Sequence, residues 1–163
     1  MKNLPFIDII IPNYNKGDYL KECLDSVLNQ TYKNWKVYVI DDCSKDISKE
    51  ILKKYNKEDK FNITFLNKNS GPAYCRNLGL KKSEAEYVAF LDSDDYWPKH
   101  KLEIQINEML NNNYDFTYTD IKYFFSDKID NLKKTNLPKI YDFDKFLTQS
   151  TLSTSSILVK KSV

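Results

Sequence analysis

Four short apolar segments alternate with amphipathic segments over the first 110 residues, and this alternation limits the fold more than any other feature. The apolar segments are FIDIIIP (6–12), WKVYVIDD (35–42), NITFLN (62–67) and EYVAFLD (86–92). Their lengths and their β-branched and aromatic content are typical of buried strands. Between them, apolar residues recur at helical spacing, first at Leu20, Cys23, Leu24, Val27 and Leu28. The pattern predicts an α/β fold, with a mostly parallel central sheet flanked by helices on both faces.

Local signals predict where the helices begin. Asp18 is a candidate N-cap for the first helix and Ser44 for the second. Pro72 predicts a third helix that runs to about Lys82, and Pro98 opens a fourth. Leu102, Ile106, Met109 and Leu110 lie on one face of the fourth helix. After residue 111 the pattern loosens into candidate strands at DFTYT, IKYFF and SSILVKK and a short helix at YDFDKFLTQ.

Composition narrows the partners and the chemistry. The net charge of +2, from 25 basic and 23 acidic residues, gives no sign of a nucleic-acid-binding surface, so no nucleic-acid partner is expected. No apolar stretch reaches the roughly 20 residues of a membrane span, and the N-terminus lacks a signal-peptide cleavage site, so a cytoplasmic protein is expected. Cys23, Cys43 and Cys75 fit no zinc spacing and are expected to be free thiols. With His100 as the single histidine, the site chemistry is expected to depend on carboxylates.

Polar residues follow each of the four predicted strands. The four segments are PNYN (12–15), DDCS (41–44), NKNSGPAYCRN (67–77) and DSDD (92–95). Ligands of open α/β sheets bind outside the carboxyl ends of the strands, so we expect these segments to meet at one edge. Each alone has an ordinary explanation, because Asn, Asp and Ser make turns and cap helices. The four together predict a binding site.

The two acidic clusters would repel each other at that edge unless a cation were bound there. Carboxylate oxygens suit Mg²⁺ or Mn²⁺, and Mg²⁺ is typically held by one or two carboxylates plus substrate phosphates. We therefore expect a divalent cation that bridges an anionic diphosphate to the protein. Arg76 is expected to contact phosphate oxygens, to pair with an aspartate, or to do both. The phosphate-binding patterns G-x-G-x-x-G and G-x-x-x-x-G-K-[ST] are absent from the sequence.

Three blocks of the sequence resemble glycosyltransferase family 2, a group of inverting, nucleotide-sugar-dependent transferases. They are IIIPNYNKGDYLKECLDSVLNQTYKNWKVYVIDDCSKD, NSGPAYCRNLGL and YVAFLDSDDYWPKHKLEIQI, in the order of the family and within about residues 6–110. The resemblance implies a GT-A, Rossmann-like fold in a single domain over 1–163. Residues 1–110 would be the donor-binding core, and 111–163 would begin an acceptor-side half. The abrupt end at SSILVKKSV favours a longer parent protein.

The resemblance also assigns roles to individual residues. Those of the nucleotide site are Pro12, Tyr14 and Asp42 at the base, Arg76 near the base or diphosphate, and Asp92 at the ribose. Asp94 would bind Mn²⁺ or Mg²⁺ in a D-x-D motif. Supporting positions are Asn13, Asn15, Asp41, Asn77 and Asp95. The family's carboxylate base has no convincing counterpart between 111 and 163, so we expect it beyond Val163.

The activity implied by the resemblance is transfer of a sugar from a nucleotide-sugar donor to a hydroxyl of a glycan or lipid-linked acceptor, with inversion. UDP is the expected nucleotide, with dTDP and GDP as alternatives. The pathway would be surface polysaccharide or lipooligosaccharide biosynthesis at the inner face of the membrane. Peripheral membrane association through a region beyond residue 163 is part of this expectation.

Three other functions are weighed against this one. A sugar-nucleotide nucleotidyltransferase would have a glycine-rich loop after the first strand, where PNYNKGDYL has one glycine. A D-x-D phosphatase of the haloacid dehalogenase type would carry its acidic pair after the first strand instead of the fourth. A non-catalytic nucleotide-sugar-binding module would bind the donor without transfer. Trp97 is either a sugar-stacking platform or a core residue, Trp35 is expected in the core, and STSS (153–156) is expected to begin a strand.

Overall fold

The computed structural model describes residues 4–123, 133–134 and 152–162. The strands are β1 (Ile7–Asn13), β2 (Trp35–Asp41), β3 (Phe61–Phe65), β4 (Tyr87–Phe90), β5 (Phe116–Thr117), β6 (Lys122–Tyr123), β7 (Lys133–Lys134) and β8 (Leu158–Lys160). The α-helices are α1 (Gly17–Leu28), α2 (Ser48–Tyr55), α3 (Pro72–Lys82) and α4 (Lys101–Asn112), and a 3₁₀ helix spans Thr154–Ser156. The short helix predicted at YDFDKFLTQ lies outside the described residues.

The main sheet has six strands in the order β3-β2-β1-β4-β8-β5. Strands β1 to β4 are parallel to one another, while β8 runs antiparallel to both β4 and β5. Every residue of β1 is buried, as expected for a central strand covered on both faces. The prediction of an α/β fold with a mostly parallel sheet is confirmed, and the later part of the chain completes that sheet.

Helices cover both faces of the sheet. Successive side chains of a strand point to opposite faces. Ile9 of β1 belongs to the same buried cluster as Leu24 of α1 and Ile106 of α4. On the other face, α3 packs so closely on β1 that a Cβ at Gly79 would lie 2.5 Å from the Cγ2 of Ile10. The helices on both faces agree with the prediction.

The N-terminal ends of α1 and α2 share one carboxylate. Helix α1 begins at Gly17, so the prediction of Asp18 as its N-cap is wrong. Asp46 accepts hydrogen bonds from the Gly17 N–H at 2.7 Å and from the Ser48 N–H at 3.0 Å, where α2 begins. The prediction of Ser44 as the cap of α2 is also wrong, because Ser44 is buried in the preceding loop.

Helix α3 spans Pro72 to Lys82, as predicted. The fourth helix begins at Lys101 instead of Pro98, whose carbonyl accepts from the Lys101 N–H at 3.1 Å. Leu110 is 46% exposed, so its placement on the buried face is wrong.

The remaining fold predictions concern burial. Trp35 is in the core, as predicted. Cys23 and Cys75 are buried free thiols, and Cys43 is a free thiol that is partly buried. No helix among the described residues is long and apolar enough to cross a bilayer.

Candidate active site

The strand order brings three of the predicted polar loops together. Strand β1 lies between β2 and β4, so the segments after these strands, 14–16, 42–47 and 91–95, are neighbours at the carboxyl edge of the sheet. The loop after β3 joins them through a backbone hydrogen bond from the Leu66 N–H to the Asp41 carbonyl, at 2.8 Å. This edge, with the acidic loop 92–95 at its centre, is the candidate site.

A buried polar network joins the first two loops. The Asn13 side-chain amide donates to the Asp41 carboxylate at 2.8 Å and to the Ser44 hydroxyl at 3.2 Å. The Ser44 N–H donates to the other Asp41 oxygen at 3.1 Å, and the Ser44 hydroxyl accepts from the Asn15 N–H at 3.0 Å. Asp41 is completely buried. These side chains hold the loops in place, and the described contacts occupy both oxygens of Asp41.

Asn15 and Tyr14 face outward from this network. Asn15 has a φ of 51°, in the left-handed region that Asn tolerates better than most residues, and its side-chain oxygen accepts from the Lys45 N–H at 2.8 Å. Tyr14 is exposed at the rim, whereas Pro12 is buried in β1, paired with Ile40. The ring of Tyr14 is therefore available to a ligand.

Asp42 fixes the loop that leads into α3. Its carboxylate is buried and accepts from the Ser70 N–H at 2.7 Å and from the Gly71 N–H at 2.8 Å. Gly71, at φ 87°, makes the turn into the helix that a side chain would disfavour. That helix carries Arg76 to the acidic loop, while the neighbouring Asn77 is exposed.

Each aspartate of the acidic loop has a different partner. Arg76 contacts the Asp92 carboxylate at 2.5 Å, so the predicted pairing of Arg76 with an aspartate is observed. Lys16, at the start of α1, contacts the Asp94 carboxylate at 2.7 Å. The pKa of Lys16 is raised, chiefly by its hydrogen bond to Asp94. Two side-chain cations therefore offset the repulsion that the sequence predicts.

The third aspartate, Asp95, is held by the hydroxyl of Ser155. That hydroxyl donates to the Asp95 carboxylate at 2.5 Å and accepts from the Asp92 N–H at 3.0 Å. Burial and the nearby carboxylates of Asp92 and Asp94 raise the pKa of Asp95, while Ser155 opposes this rise. Ser155 thus connects the two ends of the acidic loop to the segment that precedes β8.

Trp97 is a core residue and not a surface platform. It is 5% exposed, and its indole N–H donates to the Ser155 carbonyl at 2.8 Å. Lys101 lies over the ring, 4.2 Å from its centroid. The sugar-stacking interpretation of Trp97 is wrong because its ring is enclosed beneath the acidic loop.

The acidic loop could give a divalent cation one protein carboxylate, with the remaining ligands supplied by a substrate. Within 4–123, 133–134 and 152–162, the His, Cys, Asp and Glu side chains form no group of three that could hold a metal ion. Asp94 offers one carboxylate, 42% exposed, with Lys16 as its partner. Mg²⁺ commonly takes one or two protein carboxylates and completes its coordination with substrate phosphates. Hard carboxylate oxygens at an open edge therefore suit Mg²⁺ or Mn²⁺.

Sequence reasoning missed two residues of this site, Lys16 and Ser155. Lys16 follows PNYN directly, and its charge beside an acidic edge was a usable signal. Ser155 lies in the STSS segment, which was expected only to begin a strand. Its partner Asp95 is 60 positions away, a separation that no local pattern reveals.

Comparison with known proteins gives consistent matches. The profile of "Glycosyl transferase family 2" matches residues 8–159. The putative teichuronic acid biosynthesis glycosyltransferase TuaG of Bacillus subtilis is 33% identical over 158 residues, which are 96% of this chain and 63% of TuaG. The UDP-Glc:alpha-D-GlcNAc-diphosphoundecaprenol beta-1,3-glucosyltransferase WfgD of Escherichia coli is 31% identical over 96% of this chain and 61% of WfgD. The chain therefore spans less than two thirds of each relative.

A solved structure agrees with these matches. The crystal structure of S. aureus TarS 1–349 in complex with UDP-GlcNAc superposes with a TM-score of 0.65 at 35% identity. The alignment covers 68% of this chain and 33% of the TarS chain. The fold of the chain is thus the GT-A fold of its structural neighbours.

Proposed function

The chain belongs to glycosyl transferase family 2, and from this premise we propose that it takes part in transferring a sugar from a nucleotide-sugar donor to an acceptor hydroxyl, with inversion. The observation that carries the proposal is the acidic loop 92–95 at the carboxyl edge of the sheet, with the Asp94 carboxylate exposed. Such an edge is where open α/β sheets bind nucleotides. The activity belongs to the complete protein, of which this chain supplies the donor side.

The donor we propose is a UDP-sugar, and the acceptor is a glycan or a lipid-linked glycan. The solved TarS structure holds UDP-GlcNAc, and the name of WfgD describes a UDP-glucose donor and a diphosphoundecaprenol acceptor. The name of TuaG describes teichuronic acid biosynthesis. These relatives support a role in surface polysaccharide biosynthesis.

Different residues of the site would contact different parts of the donor. We assign Tyr14, Pro12 and Asp42 to the base, Asp92 to the ribose and Arg76 to the base or diphosphate. The exposed ring of Tyr14 offers a face to a base, and Arg76 already lies beside Asp92 at 2.5 Å. Because Pro12 and Asp42 are buried, their contribution would be to shape the base pocket from below.

Asp94 would hold Mn²⁺ or Mg²⁺, which when bound neutralises the charge that develops on the departing nucleoside diphosphate. Ser155 keeps the acidic loop in position before the donor arrives, and Lys16 pairs with the Asp94 carboxylate. The acceptor hydroxyl attacks the anomeric carbon while a carboxylate base removes its proton. We place that base beyond Val163, with residues 1–110 as the donor-binding core and 111–163 as the start of the acceptor-side half.

The decisive experiment compares two neighbouring carboxylates in the complete protein. Asp94→Asn should abolish Mn²⁺-dependent binding of UDP-GlcNAc, because the amide keeps the shape of the side chain and loses the metal-binding charge. Asp95→Asn is the matched control and should weaken binding far less, since its partner is the Ser155 hydroxyl. Thermal shift across a panel of nucleotide sugars, with and without Mn²⁺, measures this directly, because a ligand at 100 times its Kd stabilises a protein by about 2.7 kcal/mol.

Two results would contradict the proposal. Equal losses in the two variants would show that the roles of Asp94 and Asp95 are wrongly assigned. A complete protein that binds the nucleotide sugar and neither transfers nor hydrolyses it would be a binding module instead of an enzyme.

A further inference from the structure

Lys16 occupies a position that helix stability does not explain. It is the N-cap residue of α1, and its side chain makes no capping hydrogen bond. Helices favour Ser, Thr, Asp or Asn at this position, and the positive end of the helix dipole disfavours a lysine there. Its ammonium points to the Asp94 carboxylate at 2.7 Å, and both side chains are 42% exposed. An exposed ion pair of this kind contributes little to folding.

The backbone of Lys16 is fixed in the first turn of α1, whereas its partly exposed side chain extends to the Asp94 carboxylate. Its carbonyl accepts hydrogen bonds from the Tyr19 N–H at 3.0 Å and the Leu20 N–H at 2.9 Å, in the first turn of α1. The four-carbon stem above this anchor ends at the open edge of the site. The ammonium can therefore change partners without any movement of the loop or the helix.

We propose that Lys16 is a donor-binding residue whose ammonium pairs with the Asp94 carboxylate before the donor binds. When the metal–nucleotide complex binds, the ammonium leaves Asp94 and contacts the donor diphosphate. This inference rests on the proposed function. A cation bound to the same Asp94 oxygen at about 2.1 Å would lie no more than about 5 Å from the ammonium. Two cations at that distance repel each other. The phosphates that arrive with the metal supply a new anionic partner within reach of the lysine.

If Lys16 changes partners in this way, its removal should change the affinities for Mn²⁺ and for UDP in opposite directions. Without its competitor, the Asp94 carboxylate of Lys16→Met should bind Mn²⁺ alone about two- to fivefold more tightly, the equivalent of losing an exposed ion pair. The same variant should bind UDP at saturating Mn²⁺ about tenfold more weakly, because a charge-assisted contact is lost. A purely structural lysine would change both affinities in the same direction.

Two further variants separate charge from structure. Lys16→Arg keeps the cation and should bind UDP within about threefold of the wild type. Lys21→Met is the matched control, since Lys21 pairs with Asp25 at 2.5 Å on the same helix and away from the acidic loop. It should change neither affinity.

The measurements are Mn²⁺ titration by water proton relaxation and UDP titration by calorimetry, both in the complete protein. Tighter Mn²⁺ binding together with weaker UDP binding in Lys16→Met supports the inference. Unchanged affinities, or joint weakening of both, overturn it while leaving the proposed function intact. A wild-type protein without Mn²⁺-dependent UDP binding overturns the proposed function itself.

Discussion

Replacing Ser155 with alanine tests whether the segment before β8 holds the acidic loop in place. The change removes a hydroxyl that accepts from the Asp92 N–H at 3.0 Å and donates to the Asp95 carboxylate at 2.5 Å. Asp95 keeps solvent-exposed surface beside its partly buried carboxylate, so water can replace its lost donor. The Asp92 N–H is the larger loss, and a partly buried donor without an acceptor costs about 1–2 kcal/mol. For a chain of this size, that loss lowers the Tm by about 2–8 °C.

The same substitution should weaken nucleotide binding. The loop that carries Asp92 and Asp94 loses its side-chain connection to the segment before β8, and ordering the loop on binding then costs affinity. We expect the Kd for UDP in the presence of Mn²⁺ to rise about three- to tenfold. Ser155→Thr keeps the hydroxyl and should restore most of the affinity.

The neighbouring serine provides a matched control. Ser156 is also buried, and its hydroxyl donates to the Ser153 carbonyl at 2.7 Å without contacting the acidic loop. Ser156→Ala should lower the Tm and leave the UDP affinity unchanged. Calorimetric titration with UDP and differential scanning calorimetry give the two quantities. If Ser155→Ala and Ser156→Ala bound UDP equally well, the positioning role of Ser155 would be refuted.

Two further predictions concern stability. Burial lowers the pKa of Lys101 from 10.5 to about 7. Between these two values the folded state binds fewer protons than the unfolded state. The free energy of unfolding therefore increases as the pH rises from 7 to 9. In urea denaturation, the free energy of unfolding of Lys101→Met should increase less between pH 7 and 9 than that of the wild type. An equal increase in the two proteins would contradict this prediction. Gly79→Ala should lose about 1–3 kcal/mol of stability, despite the helix propensity of alanine, because the new Cβ would lie 2.5 Å from the Ile10 side chain. Wild-type stability in urea would mean that α3 can move away from β1.

Much of the site followed from local patterns because a parallel sheet brings its strand ends to one edge. Asn13, Asp42 and Asp94 could be assigned to that edge from the residues that precede them. The errors arose where a local signal competed with a distant partner. Ser44 has the composition of a helix cap, but a buried network with Asn13 and Asp41 takes its hydroxyl and N–H. Asp46 accepts hydrogen bonds from the backbone at the start of both α1 and α2, a link between two helices that no local pattern shows.

The sequence by itself determined the order of strands and helices along the chain and the edge of the sheet at which the polar loops meet. These depend on hydrophobic periodicity and on the geometry of parallel strands, both of which are readable along the chain. Only the tertiary structure decided which cation or hydroxyl meets which carboxylate: Arg76 with Asp92, Lys16 with Asp94 and Ser155 with Asp95. Such pairs join residues that only the completed sheet brings together, so their geometry is a property of the packed fold.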